Sequence, residues 1–168
     1  MSRVVLDDFA GHAFMLDLAE AMKRAGHEVT YAYCDTNLSP HADFAAAEVP
    51  VTPISTRRPF EKYSVIRRVV NELEYGWGSA RLLWRKRAEV SILNNQPLLS
   101  LALPLAIGKL TGAHRIIWLQ DVQSGLVAGV TGGPLDHMPG FGHVRLSFGD
   151  LLATLLGDDL AEFLVAIP

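Results

Sequence analysis

The residues best suited to chemistry stand where the first apolar run ends. The stretch "VVLDDFAGHAF" passes from Val4, Val5 and Leu6 through Asp7 and Asp8 to Gly11 and His12, just before a helical pattern begins. Glycine lets a backbone approach a ligand closely. Imidazole titrates near neutrality, so His12 at a helix threshold suits a hydrogen bond to a sugar or phosphate, proton abstraction as a general base, or simply capping of the helix. Two further strand ends carry polar side chains. Asn94, Asn95 and Gln96 offer amides to sugar hydroxyls or to the cap of the helix that Pro97 opens, and Gln120 to Ser124 include Asp121. The first loop has no G-x-G-x-x-G, and no G-x-x-x-x-G-K-[ST] occurs anywhere, which argues against an ordinary NAD enzyme or a P-loop NTPase. His27, His114, His137 and His143 lack ligand spacing and Cys34 is a lone cysteine, so no metal centre, disulfide framework or cofactor is expected.

A second kind of chemistry lies in the charge distribution. Nine basic and three acidic residues fall between Arg57 and Arg87, so a chain of net charge −3 carries a local excess of six positive charges there. Arg67, Arg68, Arg81, Arg85, Lys86 and Arg87 are interleaved with Tyr63, Tyr75, Trp77 and Trp84. That mixture suits an anionic membrane surface, with Arg67, Arg68, Trp84 and Arg85 as candidate contacts, or else a solvated helix face with its tryptophans in the core. No nucleic-acid-binding motif accompanies it, and nucleic acid is not expected as a partner.

These loops must be held by alternating strands and helices. "RVVLDD" reads as a buried strand, and Phe14, Leu18, Ala21, Met22 and Ala25 recur at helical spacing up to Gly26. "HEVTYAYC" is a strand again, completing a β-α-β unit that requires a parallel pair. Then come a short strand "VPVTPI", a helix over 61–88 broken or bent near Gly76 and Gly78, and a strand "EVSILNN". An all-round apolar, buried helix "PLLSLALPLAIGKLTG" and a strand "AHRIIWL" follow. A glycine-rich stretch over 125–142, suited to a lid, precedes a helix near Leu146 to Leu156 and a last strand "FLVAI". The pattern predicts an α/β, doubly wound, mostly parallel sheet, and 168 residues suit one domain. The longest apolar run falls well short of a membrane span and the N-terminus lacks a basic-then-apolar leader, so a cytoplasmic location is expected.

Three segments carry a family resemblance. "GHAFMLDLAEAMKRAGHEVTYAY" resembles the opening of the acceptor-side half of GT-B glycosyltransferases, and "SILNNQPLLSLALPLAIGKLTGAHRIIWLQDVQSGLVAG" resembles family 4, particularly its colanic-acid and surface-polysaccharide branch. "LLATLLGDDLAEFLVAIP" is similar to that family's last helix and strand before the interdomain linker. The resemblance covers residues 1–168 as one Rossmann-like domain and implies that the C-terminal, donor-binding domain is absent. It places Gly11 where backbone meets donor phosphate or acceptor, and Gln120 with Asp121 at a strand-end pair that often reads His-Asp. Family 4 transfers with retention and needs no protein base. In inverting GT-B families a histidine at the position of His12 deprotonates the acceptor and a later aspartate orients it, a pairing that His12 and Asp121 could form. The implied partners are a nucleotide-sugar donor, a hydroxyl acceptor, a chain carrying the donor domain and the inner face of a membrane. The alternative is a stand-alone α/β ligand-binding or interaction module without transfer activity.

Overall fold

The computed structural model describes residues 1–37, 41–59, 64–119 and 162–165 of the chain. Its elements follow in the order β1 (Arg3–Asp8), α1 (Ala13–Arg24), β2 (Glu28–Cys34), β3 (Val51–Ile54), α2 (Val65–Lys86), β4 (Val90–Asn94), α3 (Leu98–Thr111), β5 (His114–Leu119) and β6 (Glu162–Val165). The strands form one sheet in the order β3-β2-β1-β4-β5-β6, parallel at every pairing. This is the doubly wound α/β architecture that the alternating pattern predicts. The expected helix near Leu146 to Leu156 and the glycine-rich stretch over 125–142 lie outside the described residues.

A parallel sheet covered on both faces requires central strands that are apolar on both sides. β1 meets this requirement, since Val4 to Asp8 are all buried. Side chains alternate along a strand, so Val4 and Leu6 join Val29, Tyr31 and Ile92 beneath Met15, Leu16 and Ala19 of α1. Val5, Ala32, Cys34 and Ile54 face the other way, toward Tyr75, Leu82 and Leu83 of α2. Leu101 and Leu105 of α3 pack with Leu93 and Ile117. α1 ends where Gly26 takes φ +92°, a left-handed conformation that glycine adopts without penalty.

α2 runs unbroken through Gly76 and Gly78, correcting the expected break. The glycines serve close packing instead. A Cβ on Gly76 would stand 2.7 Å from the carbonyl oxygen of Ser100, and one on Gly78 would stand 2.5 Å from Cγ2 of Ile54. Pro104 lies inside α3 and has no N–H for the carbonyl four residues back, which is that of Ser100. The bare face of Gly76 thus meets the carbonyl to which Pro104 has no N–H to give. α3 is not apolar-buried all round, because Leu98 and Leu110 are exposed while Ser100, Leu101, Pro104, Leu105 and Gly108 form its buried face. The buried Glu72 of α2 accepts the Leu99 N–H at 3.2 Å and so caps α3 from a neighbouring helix.

Candidate functional site

In a doubly wound sheet the crevice for ligands opens beyond the carboxyl ends of the two strands where the order reverses. Here those strands are β1, which leads through α1 to β2, and β4, which leads through α3 to β5 on the other side. Asp8 and Asn94 are their last residues and register partners, and Asn94 Nδ2 donates to Asp8 Oδ1 at 2.8 Å across that junction.

Asp8 is completely buried and is met by donors on every side. Besides Asn94, the Tyr31 hydroxyl of β2 donates to Oδ2 at 2.8 Å, and the backbone N–H of His12 donates to the same oxygen. Burial, with the Asp8 charge second, pushes the Tyr31 phenol far above its ordinary range, so it keeps its proton and donates. Nδ1 of His12 lies 3.0 Å from Oδ1 and 3.1 Å from Oδ2. His12 occupies the cap position of α1 in extended backbone, yet its side chain caps nothing. Its ring is held by Asp8 instead, with the side chain 34% exposed beside Phe14 at a centroid distance of 5.3 Å.

Asp7 points to the opposite face. Its carboxylate accepts from the Tyr75 and Ser79 hydroxyls of α2, and the Gln96 amide lies near enough to act in the same direction. Burial outweighs these donors and pushes the Asp7 carboxyl up to about 6.

Gly11 adopts φ +73°, gives its N–H to the Asp8 carbonyl at 3.0 Å and accepts the Ala42 N–H at 2.8 Å. A Cβ there would stand 2.8 Å from Nδ1 of His41, a nitrogen that donates to the Ala10 carbonyl. The close approach that Gly11 permits is therefore to His41. Asn95 stands in left-handed backbone at φ +47° and gives its N–H to the Trp118 carbonyl at 3.0 Å. Beside it, Asn94 Oδ1, both polar atoms of the Gln96 amide and Trp118 Nε1 are buried without a hydrogen bond of normal geometry. Gln120 and Asp121 lie outside the described residues, so the expected His12–Asp121 pair is not described; the aspartate seen to hold His12 is Asp8. Sequence reasoning singled out Asp8 and Asn94 at their strand ends without their contacts to each other and to His12, and it missed Tyr31. Only the four-residue spacing of Asp8 and His12 hinted at the pair.

Arg67, Arg68, Trp84 and Arg85 all belong to α2. All of Arg68, Trp84 and Arg85 are exposed, and Arg68 donates from Nε to the buried Glu72 at 2.7 Å. Ile66, Val70, Leu73, Trp77 and Trp84 recur at helical spacing and are all exposed, on the side away from buried Tyr75, Ser79 and Leu82. No described helix is long and apolar enough to cross a membrane. A cleft of about 640 Å³ between Arg3, Trp84, Arg87, Leu110 and His114 lies where the strands begin, at the end of the sheet opposite the switch point. Among the described residues no group of three or more His, Cys, Asp or Glu could hold a metal ion.

No protein-family model matches the chain, and no curated protein matches it in sequence. Solved structures do share its fold. The C-terminal domain of PF1911 hydrogenase from Pyrococcus furiosus aligns over 69% of this chain and 89% of its own, with TM-score 0.55 and 11% identity. The spinosyn forosaminyltransferase SpnP aligns over 92% of this chain with TM-score 0.50 and 18% identity. A Streptomyces sp. SF2575 glycosyltransferase, SsfS6, aligns over 98% with TM-score 0.48 and 16% identity. The chain spans 41% of SpnP and 48% of SsfS6. At these identities the likeness establishes a Rossmann-like α/β fold, one that occurs in a hydrogenase domain as well as in a forosaminyltransferase.

Proposed function

We propose that this chain is the acceptor-side domain of a nucleotide-sugar-dependent glycosyltransferase, acting in surface-polysaccharide or glycolipid synthesis as the family 4 resemblance implies. The observation that carries the reading is the His12 imidazole, part-exposed at the switch point of the sheet and held from beneath by buried Asp8. Where the transfer inverts, the acceptor hydroxyl gives its proton to Nε2 of His12 and its oxygen bonds to the anomeric carbon of the donor. The bond from that carbon to the nucleotide diphosphate breaks, and its electron pair leaves with the diphosphate. Asn95, with Gln120 and Asp121 just beyond β5, would contact the acceptor. The donor site belongs to a second domain, in the same polypeptide or on a partner chain. Base catalysis by His12 goes with inversion, whereas the family 4 resemblance implies retention without a protein base, so the product's anomeric configuration separates the two.

The outward stripe of α2 supports a location at the inner face of the membrane. Trp77 and Trp84 stand 65% and 59% exposed, and Arg81 and Arg85 lie along the same side of the helix. Tryptophan beside arginine suits a head-group layer of anionic lipid.

The test supplies the chain with a donor-binding domain in trans, labelled nucleotide sugars and hydroxyl acceptors. Nucleotide-sugar binding is expected to be weak for the chain alone and stronger for the pair, and His12→Gln is expected to lower kcat by about 10²–10⁴-fold. A retained anomeric configuration with an unchanged rate in His12→Gln removes the base role. Absence of both transfer and nucleotide-sugar binding leaves the stand-alone binding module.

A further inference from the structure

We infer that Asp8 is the positioning residue that sets the tautomer of His12, holding the proton on Nδ1 and leaving Nε2 as the unprotonated ring nitrogen. Three donors already converge on the Asp8 carboxylate: the Tyr31 hydroxyl, the Asn94 amide and the backbone N–H of His12. In that company the carboxylate acts purely as an acceptor, and a nitrogen 3.0 Å away satisfies it only by presenting an N–H. Nδ1 is that nitrogen. In a neutral imidazole a proton on Nδ1 leaves the lone pair on Nε2, which has no protein partner among the described residues. One buried carboxylate thus fixes both the main chain and the ring of the same residue, and it cannot drift because β1 is paired on both sides.

Asn94 makes the inference testable without dismantling the site. Its Oδ1 is buried and unpartnered while its Nδ2 serves Asp8. In Asp8→Asn the new amide keeps its oxygen toward Tyr31 and the His12 N–H, and its NH₂ takes the place of Oδ1. Asn94 then turns its amide to present Oδ1 to that NH₂, whose other hydrogen faces His12 Nδ1, while the retained oxygen, 3.1 Å from Nδ1, is already taken by the Tyr31 hydroxyl and the His12 N–H. That contact favours the tautomer with its proton on Nε2, in which the lone pair needed for base chemistry is lost from that atom.

The tautomer is read by ¹⁵N NMR of imidazole-labelled full chain above the titration of the ring, with His12→Gln identifying the His12 signals. Wild type is expected to show the protonated, pyrrole-type nitrogen at Nδ1 and the pyridine-type nitrogen at Nε2. Asp8→Asn is expected to exchange the two while the other five histidines keep their signals. An Nε2–H tautomer in wild type overturns the inference, and an unchanged tautomer in a folded Asp8→Asn variant overturns the share of it given to Oδ1 rather than to the retained oxygen. The wild-type spectrum decides by itself if that variant does not fold, and Tyr31→Phe, which keeps the carboxylate, is expected to retain the Nδ1–H form. The catalytic consequence rests on the glycosyl-transfer reading: there Asp8→Asn lowers kcat by about 10²-fold or more with little change in acceptor KM. Failure of transfer in every variant would sink that reading and leave the tautomer assignment standing.

Discussion

Asp7 sits fully buried against Tyr75 and Ser79, with its carboxyl raised from an ordinary 3.8 to about 6. An acid whose pKa is higher in the folded than in the unfolded chain holds its proton more tightly when folded. Its contribution to stability is therefore complete below pH 4 and is lost as pH rises toward 6. A shift of this size corresponds to about 3 kcal/mol. Asp7→Asn, which stays neutral, is expected to remove that slope, so chemical-denaturation midpoints measured from pH 4 to 7 should fall in wild type relative to the variant. A variant that parallels wild type across that range would show that Asp7 is not the titrating group. The place of His12 at the head of α1 was legible in the sequence, because imidazole between a strand and a helical pattern stands out by type and position. The roles of Asp7 and Asp8 were not legible, because their partners come from positions as distant as Tyr31, Tyr75 and Asn94. Only strand register and helix docking bring them together.

At the scale of elements, the sequence reading located the described strands and helices to within a few residues, since buried parallel strands and amphipathic helices write different periods. It misread Gly76 and Gly78, because glycine in a helix has the same local cost whether it marks a bend or a close approach, and only the neighbouring element decides. Gly76 meets the backbone of Ser100, four residues before Pro104, and backbone of this kind yields little. Gly76→Ala is expected to destabilise the fold by about 1–3 kcal/mol through overpacking, more than the few tenths of a kcal/mol of an ordinary surface substitution, as read from urea unfolding. Glu72 ties the same two helices. Glu72→Ala removes the acceptor for Leu99 N–H and the partner of Arg68, with an expected cost of about 1–2 kcal/mol in the same measurement, and Glu72→Gln should recover most of it. Equal losses for Gln and Ala would show that the charge rather than the cap matters.

Across the whole molecule, the fold class followed from alternation alone, whereas the strand order, and with it the switch point, follows from pairings that no local pattern encodes. Charge is equally a property of the whole. The positive excess over 57–87 sits on a chain that is negative elsewhere, so attraction to a negative bilayer has a preferred side. The full chain is expected to co-sediment with anionic vesicles and not with neutral ones, and less strongly as salt rises. Arg81→Gln should weaken the association about fivefold, and Trp77→Ala with Trp84→Ala should abolish it. Absence of binding to both kinds of vesicle would remove the membrane from the proposal.

β1 lies at the centre of the sheet, and Asp8 at its end is fastened to β2 through Tyr31, to β4 through Asn94 and to the head of α1 through His12. These attachments come from separate stretches of chain, so they can be released together only when the sheet itself opens. The amide proton of His12, although it belongs to a loop, is therefore expected to trade places with solvent deuterium as slowly as those of β1. Isotope exchange would then find the proposed base on the most durable part of the molecule, and any adaptation to ligand would fall to the segments around it.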